Sequence, residues 1–344
     1  MALPLVVGLR LALLAATVGG TRSGALGELD LTADGGERHA ADRGWRAGGD
    51  LAVTLYLGGR RVVDDATPLA LQPFLQRAST ARLGLGGAGY RLGPLGLDHD
   101  GAGWQARATL AVDVYVSESF ALVGRAGVTF DRYSVDDHDG FGPGTVAPGV
   151  ARSSLVLDGE AALAYRVADL RVDLGLTLAP RRDEELAPAG ASQAQADAVA
   201  GRRAAGFAPS VRPGGLLRLR TVLLEHIDIA ATVRSLERGA GADVTIDYYP
   251  SHRVGLLSGI GGAHERLRPE LPESVRCVND APTATAVAAA PCVGDRLGLR
   301  VGFSFWASPR FGLVALYTPT FYAPTLDAAG TVDNRVSVTL SSRF

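Results

Sequence analysis

The stretch that decides the fold is the last in the chain, residues 332–344, which reads Val-Asp-Asn-Arg-Val-Ser-Val-Thr-Leu-Ser-Ser-Arg-Phe. Apolar side chains occupy every second position apart from Asn334 and Ser342, and polar or charged side chains occupy the positions between them. Because successive side chains of a β-strand point to opposite faces, this pattern predicts a strand with one apolar and one wet face. The edge strand of a soluble sheet has the same pattern, so the rest of the chain must decide between the two.

An amphipathic C-terminal strand that ends in a free aromatic residue, Phe344, resembles the assembly signal of Gram-negative outer-membrane β-barrels. The resemblance is to a class of proteins and not to a named family. It implies an all-β fold in which a single transmembrane, antiparallel, up-and-down barrel occupies residues 26–344 of the cell outer membrane. It also implies contact with outer-membrane lipid and lipopolysaccharide, and recognition by the barrel assembly machinery.

The N-terminus predicts a secretory signal peptide over residues 1–25. A short apolar run, residues 11–18, follows Arg10, and Ser23-Gly24-Ala25 offers a cleavage site before Leu26. The run is too short for a stop-transfer helix, and no later segment approaches 18 uninterrupted apolar residues. We therefore expect an exported chain without a transmembrane helix, which leaves a periplasmic or secreted protein, such as a soluble β-sandwich, and an outer-membrane barrel.

Composition restricts the function only weakly. The 344 residues include 34 basic residues, all of them arginine, and 36 acidic ones, so charge gives no reason to expect a nucleic-acid partner. The hydrophobic fraction is moderate, as in transmembrane barrels, where only alternate residues face lipid. Aromatic residues that we expect at the membrane interfaces are sparse: Tyr115, Tyr133, Tyr165, Tyr248, Tyr249, Tyr317, Tyr322 and Trp306.

Strand-like alternation recurs along the chain. It predicts strands at residues 26–31, 50–58, 80–92, 104–116, 120–132, 155–167, 170–178, 216–224, 227–233, 244–249, 254–260, 297–305, 311–317 and 332–344. Short connections such as Ala168-Asp169 and Glu225-His226 alternate with long ones at residues 134–152, 180–215 and 263–296. Outer-membrane barrels combine short periplasmic turns with longer extracellular loops, so we expect about 14 strands, or about 12 if the two weakest fail.

The polar faces of these strands carry charges of both signs. The predicted lumen-facing residues are Arg107, Arg125, Arg166, Arg171, Arg218, Arg220, Arg234, Arg300, Arg335, Asp113, Asp131, Asp158, Glu160, Asp173, Asp228, Asp247 and Asp333. Rings of fixed charge set ion selectivity in a pore, whereas opposite charges on neighbouring strands brace a wall. The mixed signs favour bracing. Small residues predicted on the same face leave room for a path: Ala111, Gly127, Ala162, Gly175, Gly255, Gly259, Gly298 and Gly302.

Two acidic loops are weaker candidates for a site. Asp98-His99-Asp100 and Asp136-Asp137-His138-Asp139 combine oxygen and imidazole groups at spacings that suit a divalent cation. They also bear a slight resemblance to the rim residues of omptin proteases, but no family motif surrounds them. We expect solvated loops here, with neither a metal nor a catalytic residue.

Cys277 and Cys292, the only cysteines, fall in one predicted loop. In an exported chain such a pair predicts a disulfide, and the alternative of a thiolate metal site lacks further ligands nearby. The loop at residues 184–215 is rich in alanine and polar residues, and either folds into the mouth as a constriction or lies on the surface; we favour the surface.

Taken together, the sequence predicts a porin-like channel for passive passage of small hydrophilic solutes, with no cofactor and no enzymatic activity. A surface structural or interaction barrel with a closed lumen is the main alternative, and a barrel enzyme is the third. A dominant charge sign inside would favour a pore, and a matched Ser/His/Asp or Asp/His motif at the rim would favour an enzyme.

Overall fold

A computed structural model describes thirteen ranges of the chain. They are residues 24–39, 43–57, 61–62, 79–92, 101–135, 138–139, 146–147, 150–178, 181–186, 213–236, 239–267, 292–322 and 331–344. Residues 1–23, which carry most of the predicted signal peptide, lie outside these ranges, as do Cys277 and Asp98-His99-Asp100.

Fourteen antiparallel strands form one closed barrel. In chain order they are β1 (Gly27–His39), β2 (Arg43–Leu57), β3 (Ser79–Leu92), β4 (Gly101–Tyr115), β5 (Phe120–Val135), β6 (Val150–Val167), β7 (Leu170–Leu178), β8 (Gly214–Leu223), β9 (Ile227–Leu236), β10 (Gly239–Tyr248), β11 (Val254–Leu267), β12 (Cys292–Ser308), β13 (Phe311–Tyr317) and β14 (Thr331–Arg343). Arg181–Leu186 continues alongside β6, and Thr320–Tyr322 pairs with β12 and β14. Two short bridges join Gly24–Ala25 to Arg61–Val62 and His138–Asp139 to Val146–Ala147.

The last strand closes the barrel on the first. β14 pairs with β1 from Glu28 opposite Arg343 to His39 opposite Val332, and with β13 on its other side. The sequence prediction of an all-β up-and-down barrel is therefore confirmed, and the larger of the two expected strand counts is correct. Each of the fourteen described strands pairs with a neighbour on both sides, which is what a strand-built wall needs in a membrane.

The outer face of the wall is apolar and exposed. Its large side chains include Leu51, Leu83, Leu110, Leu122, Leu163, Leu174, Leu219, Ile246, Leu256, Val301, Phe303 and Val338. Apolar surface of this extent would be costly in water and is what lipid contact requires. Asn334, one of the two exceptions in the terminal strand, lies on this face and accepts a hydrogen bond from the Tyr317 hydroxyl at 2.6 Å.

The two ends of the barrel differ in their connections. At one end, called here the turn end, the connections are residues 58–78, 116–119, 168–169, 224–226, 249–253 and 309–310, and β1 begins and β14 ends there. At the other end, called the loop end, they are residues 40–42, 93–100, 136–149, 187–213, 237–238, 268–291 and 323–330. The predicted asymmetry holds with three exceptions: 40–42 and 237–238 are short, and 58–78 is long.

Three of the strand reversals at the turn end share one local hydrogen bond. The serine hydroxyls of Ser117, Ser251 and Ser308 each accept a hydrogen bond from the backbone N–H three residues later, at 3.1 Å in every case. Each of those N–H groups belongs to the first residue of a strand. A hydroxyl used in this way satisfies a backbone donor that the turn leaves open and fixes the point at which the next strand starts.

Several predicted strand ends are wrong, chiefly because strands continue into stretches without apolar alternation. β1 runs to His39, although the sequence predicts a polar loop after residue 31, and β2 begins at Arg43 instead of residue 50. Likewise, the predicted loop at 263–296 is shortened by β11 and β12. Glycine, alanine and polar residues on both faces hide the strand period there, while backbone pairing with the neighbours sustains the strands.

Aromatic side chains mark both ends of the outer face. Phe120 contacts Tyr165 near the turn end, with ring centroids 5.0 Å apart, and Trp104 contacts Phe130 near the loop end at 5.2 Å. Such girdles are typical of the two interfaces of a membrane barrel. The interfacial role predicted for Tyr115, Tyr249 and Trp306 is wrong, because the wall turns these three side chains inward. No helix able to span a membrane occurs in the described ranges.

Candidate functional site: the barrel lumen

The charged residues predicted to line the lumen all lie at inward-facing register positions. They are Arg107, Arg125, Arg166, Arg171, Arg218, Arg220, Arg234, Arg300, Arg335, Asp113, Asp131, Asp158, Glu160, Asp173, Asp228, Asp247 and Asp333. The same alternation that turns leucine and valine outward turns these side chains into the enclosed space. Most of them meet an opposite charge there.

Arg171 forms the longest-reaching ion pair of the wall. From β7 its guanidinium extends over β6 and β5 to Asp113 on β4, at 2.7 Å, and Nε donates to Asp173 on its own strand, also at 2.7 Å. The Tyr115 hydroxyl lies 3.5 Å from the same guanidinium. One arginine thus ties together strands that do not touch each other.

Small side chains make room for this crossing. Ala121 and Val123 on β5 and Ala162 and Ala164 on β6 are buried and form one apolar cluster against which Tyr115 packs. They face inward between Asp113 and Arg171. Larger residues at these positions would hold the guanidinium away from the wall, so the cluster and the ion pair depend on each other.

Arg218 and Arg125 extend the network along β5 to β8. Arg218 reaches Asp173 on the adjacent strand and Glu160 one strand further, both at 3.3 Å. Arg125 approaches Glu160 at 3.5 Å. Asp173 is almost fully buried and accepts from two arginines, so its charge is compensated within the wall.

A second group of charges continues around the turn end. Arg220 on β8 pairs with Asp228 on β9, and Arg300 on β12 reaches over β11 to Asp247 on β10 at 2.8 Å. Tyr249, in the connection after β10, lies beside these acids. Burial first, and then the charges of Asp247 and Asp228, raise the pKa of the Tyr249 phenol above its ordinary value, so the hydroxyl stays neutral.

A third group joins the end of the chain to its beginning. Arg343 pairs with Glu28 at 3.3 Å, and its guanidinium lies 3.9 Å from the centre of the Trp306 ring. The Tyr56 hydroxyl donates to the same Glu28 at 3.0 Å. The cation–π contact and the ion pair fix β14 against β12 and β1 at the seam.

One strand further, Arg82 on β3 reaches over β2 to Asp30 on β1 at 2.9 Å. The Asp30 carboxylate also accepts from the Ser341 hydroxyl at 2.7 Å, on the strand that closes the barrel. The seam between β1 and β14 is therefore crossed by side-chain bonds as well as by the backbone ladder.

The loop-end half of the lumen repeats the pattern of reaching over one strand. Arg107 on β4 pairs with Asp50 on β2 and passes over Gly86 on β3. A Cβ atom on Gly86 would overlap the Asp50 carboxylate, so only glycine leaves space for this pair. Tyr90 similarly reaches over β4 to donate to Asp131 at 2.5 Å.

All of these pairs run along the wall and do not cross the lumen. Each of these ion pairs joins residues on one strand, on adjacent strands, or on strands with no more than two others between them. With strands about 4.8 Å apart and tilted by about 40°, a fourteen-stranded ring has a backbone radius of roughly 14 Å. These ion pairs therefore follow the wall and do not span the enclosed space.

A cavity of about 490 Å³ lies in the turn-end half of this space. It is called here the turn-end cavity, and its charged lining residues are Arg82, Arg125, Arg171, Arg220, Glu28 and Asp113. Four residues with hydroxyl groups also line it: Thr54, Tyr56, Thr80 and Tyr115. The cavity is a water-accessible pocket bounded on one side by the ion-pair network.

Sequence reasoning missed several members of these networks. They are Glu28, Asp30, Arg46, Asp50, Tyr56, Arg82, Tyr90 and Arg343. Most of them lie on β1, β2 and β3, where strand boundaries were wrong or alternation was weak. The signal that was present is a polar or charged side chain at every second position of β1: Glu28, Asp30, Thr32 and Asp34.

Three predicted inward residues have different surroundings. The charge of Arg234 acts on Asp158, three strands away, and Arg335 lies near Arg46, whose positive charge opposes it. Arg166 is buried at the turn-end boundary of β6. These positions belong to the lumen lining but not to the ion-pair network described above.

The remaining site predictions fall mostly outside the described residues. Cys277 is outside, and Cys292 is described only as the first residue of β12, so the disulfide stays a prediction. Of the second acidic loop, only His138 and Asp139 belong to a described bridge. Among the described side chains, no group of three or more His, Cys, Asp or Glu is arranged to hold a metal ion.

Phe344 lies where the barrel closes. Its backbone N–H donates to the Gly27 carbonyl at 3.0 Å, and its own carbonyl accepts from the N–H groups of Leu26 and Gly27 at 2.5 and 3.1 Å. A Cβ atom on Gly27 would lie 2.7 Å from Cζ of the Phe344 ring. The terminal aromatic ring thus covers Gly27 on the outer face, at the first residue of β1.

Comparison with known proteins supports the architecture. No protein-family model matches the chain, and no curated protein matches its sequence. Among solved structures, the chain is similar to a TodX deltaS2S3 mutant monoaromatic hydrocarbon channel (10% identity, 96% of this chain and 93% of that chain, TM-score 0.54). It is also similar to the CymD monoaromatic hydrocarbon channel (11%, 96% and 91%, TM-score 0.52).

A third similar structure is the translocator domain of autotransporter NalP from Neisseria meningitidis (13% identity, 98% and 95% coverage, TM-score 0.46). At these identities the likenesses establish the fold alone, and the third score is too low to add to it. Together with the closed fourteen-stranded wall, the likenesses to the two hydrocarbon channels identify the chain as an outer-membrane β-barrel and place it in the outer membrane.

Proposed function

We propose that this outer-membrane β-barrel is a passive channel for small hydrophilic solutes. The observation that carries the proposal is the direction of the lumen ion pairs, which run along the wall. Arg171 spans two strands to reach Asp113 and lies over buried alanines instead of extending toward the opposite wall. A wide ring whose charged side chains are held flat keeps space for water.

The chemistry of the lining suits hydrophilic solutes. Charges such as Arg107 with Asp50 and Arg300 with Asp247 offer hydrogen-bonding groups to a solute that gives up part of its hydration shell. Because acids and arginines are nearly balanced, bulk charge imposes little barrier to neutral solutes. The proposal includes no catalytic step and no cofactor.

The partners in this proposal follow from the outer surface and the last strand. The apolar outer face would contact outer-membrane lipid and lipopolysaccharide, with the aromatic pairs at its two ends marking the interfaces. The turn end, with its short connections and both strand termini, would face the periplasm. The exposed end of β14 with Phe344 would be read by the barrel assembly machinery.

Solute permeation into liposomes tests the proposal. Folded protein in liposomes should accelerate osmotic swelling with a small sugar such as arabinose and have less effect with a trisaccharide. Ala111→Trp, which adds bulk beside the turn-end cavity, should slow swelling. Ala106→Trp on the outer face of the same strand is the matched control and should leave the rate unchanged. Swelling no faster than in empty liposomes would favour a closed structural barrel.

A further inference from the structure

The turn-end cavity is lined by more cations than anions. Four arginines line it, Arg82, Arg125, Arg171 and Arg220, against two acids, Glu28 and Asp113. Arg82, Arg125 and Arg220 pair with Asp30, Glu160 and Asp228. None of these three acids lines the cavity. A small solute in the cavity therefore meets guanidinium groups first.

At two of these arginines, Arg82 and Arg220, the partner acid lies deeper in the wall. Asp and Glu have short side chains that stay at the wall, whereas arginine is long and carries its charge toward the lumen. The exposed fraction of the side chain is 49% for Arg82 and 9% for Asp30. It is 36% for Arg220 and 8% for Asp228. At these two pairs the charge that reaches the cavity is that of the arginine, because Asp30 and Asp228 do not line it.

Arg125 is the arginine best placed to take a ligand. Half of its side chain is exposed, and its approach to Glu160, at 3.5 Å, is longer than the 2.7 Å contact between Arg171 and Asp113. The other charges acting on it include the like charges of Arg218 and Arg171. An anion beside Arg125 would relieve this repulsion, and a planar guanidinium can bind carboxylate or phosphate oxygens through two N–H groups.

We propose that the turn-end cavity is a binding subsite for small anionic solutes that carry a carboxylate or phosphate group. The inference deepens the proposed channel function by naming the class of solute that the channel favours. Arg125 and Arg82 hold the anionic group, while hydroxyl-bearing residues Tyr115 and Thr80 line the same space beside a polar remainder. At about 490 Å³ the cavity suits a solute of small-ligand size.

Block of the channel current tests this site. The current of the folded, full-length protein in KCl is measured while inorganic phosphate or succinate is added to one side. Both anions should lower the current in a saturable manner. Arg125→Gln should raise the half-blocking concentration about fivefold, as expected for losing one nearby charge in a wet site. Arg125→Lys should restore much of the effect because it keeps the charge.

The control for general electrostatics is Arg335→Gln. Arg335 is an inward arginine opposite Gly36, toward the loop end and away from the cavity. Its loss removes the same charge from the lumen and should leave the half-blocking concentration within a factor of two. Equal shifts in both variants would overturn a localised site and leave only a diffuse positive potential. Block by one anion and not by the other would assign the site to phosphate or to carboxylate solutes.

A second readout needs no current and separates failure of the site from failure of the channel. Equilibrium dialysis of labelled inorganic phosphate against folded protein in detergent should show saturable binding that Arg125→Gln weakens. Conductance without block and without saturable binding overturns the anion site while the channel stands. Saturable binding without conductance overturns the channel while the site stands. Heat-modifiable gel mobility confirms that each variant is folded.

Discussion

Arg171 and Asp113 form an ion pair, 2.7 Å long, between strands that two other strands separate. The two strands between them present small, buried apolar residues to the lumen there, and the guanidinium also binds the buried Asp173. The barrel wall is therefore braced across four neighbouring strands by one side chain. In the proposed channel, this arrangement would keep a charge-rich lumen both stable and open.

Loss of this brace should destabilise the folded barrel. Arg171→Gln leaves Asp113 without its ion-pair partner and Asp173 with Arg218 alone, so we expect a loss of about 2 kcal/mol in the free energy of unfolding. The urea midpoint of folding in liposomes, followed by gel mobility, measures the effect. In a double-mutant cycle, Asp113→Asn should cost little more once Arg171 is gone. If the two substitutions lower the free energy of unfolding by fully additive amounts, Arg171 and Asp113 do not interact directly.

Gly86 should be needed for the pair between Asp50 and Arg107. Gly86→Ala places a methyl group where the Asp50 carboxylate lies, and overpacking of this kind costs about 1–3 kcal/mol. The urea midpoint again gives the measurement. Gly89→Ala is the matched control, because a Cβ atom there has no heavy atom within 4 Å. An equal loss in both variants would attribute the effect to strand glycine in general.

Replacing Arg218 and Arg220 with serine should change ion preference. Both arginines pair with acids in the structure. The double replacement removes the arginine that pairs with Asp228 and one of the two arginines that pair with Asp173. We expect a larger conductance and a shift toward cations in the reversal potential under a KCl gradient. A shift toward anions would contradict the assignment of these arginines to the wall network.

Deletion of Phe344 should lower the amount of folded barrel in the outer membrane. The deletion removes the ring that covers Gly27 and the backbone bonds at the seam, together with the terminal aromatic residue that resembles an assembly signal. Phe344→Asp should act similarly, and Phe344→Tyr should retain folded protein. Heat-modifiable mobility of outer-membrane fractions reports the outcome. Unchanged levels in the deletion would remove the assembly role.

The predicted disulfide can be checked directly. Peptide mapping of purified, non-reduced protein should recover a fragment that links Cys277 to Cys292. Reduction should lower the urea midpoint only slightly, because a link within a loop does not hold the hydrogen-bonded wall together. Free thiols at both positions in oxidised material would contradict an extracellular loop that is closed by this bond.

The sequence was sufficient for the architecture where alternation was strong. β7 and β13 were predicted with their observed ends. In β7, leucine or valine outside alternates with polar residues or glycine inside, whereas β13 is a short apolar run between Pro309 and Pro319. β1 and β2 were predicted too short. Their loop-end halves are built of glycine, alanine and charges, and only pairing with neighbouring strands makes them strands.

For the lumen, the sequence indicated which side chains point inward but not which ones meet. The pairing of Arg171 with Asp113 depends on the curvature of the wall and on the small size of Ala164 and Ala121, which no local pattern encodes. Gly86 illustrates the same limit, since its role appears only when Asp50 and Arg107 are seen on either side. Glycine occurs in strands for several reasons, and only the side chains of the neighbouring strands show which reason applies at a given position.

The single-channel current of purified, folded protein in a planar lipid bilayer tests the central claim, an open hydrophilic lumen with wall-bound charges. We expect stable current steps that scale with KCl concentration, and larger steps after Arg171→Gln if the barrel stays folded. Folded protein that passes no current, in the wild type and in that variant alike, would contradict the claim and support a closed structural barrel.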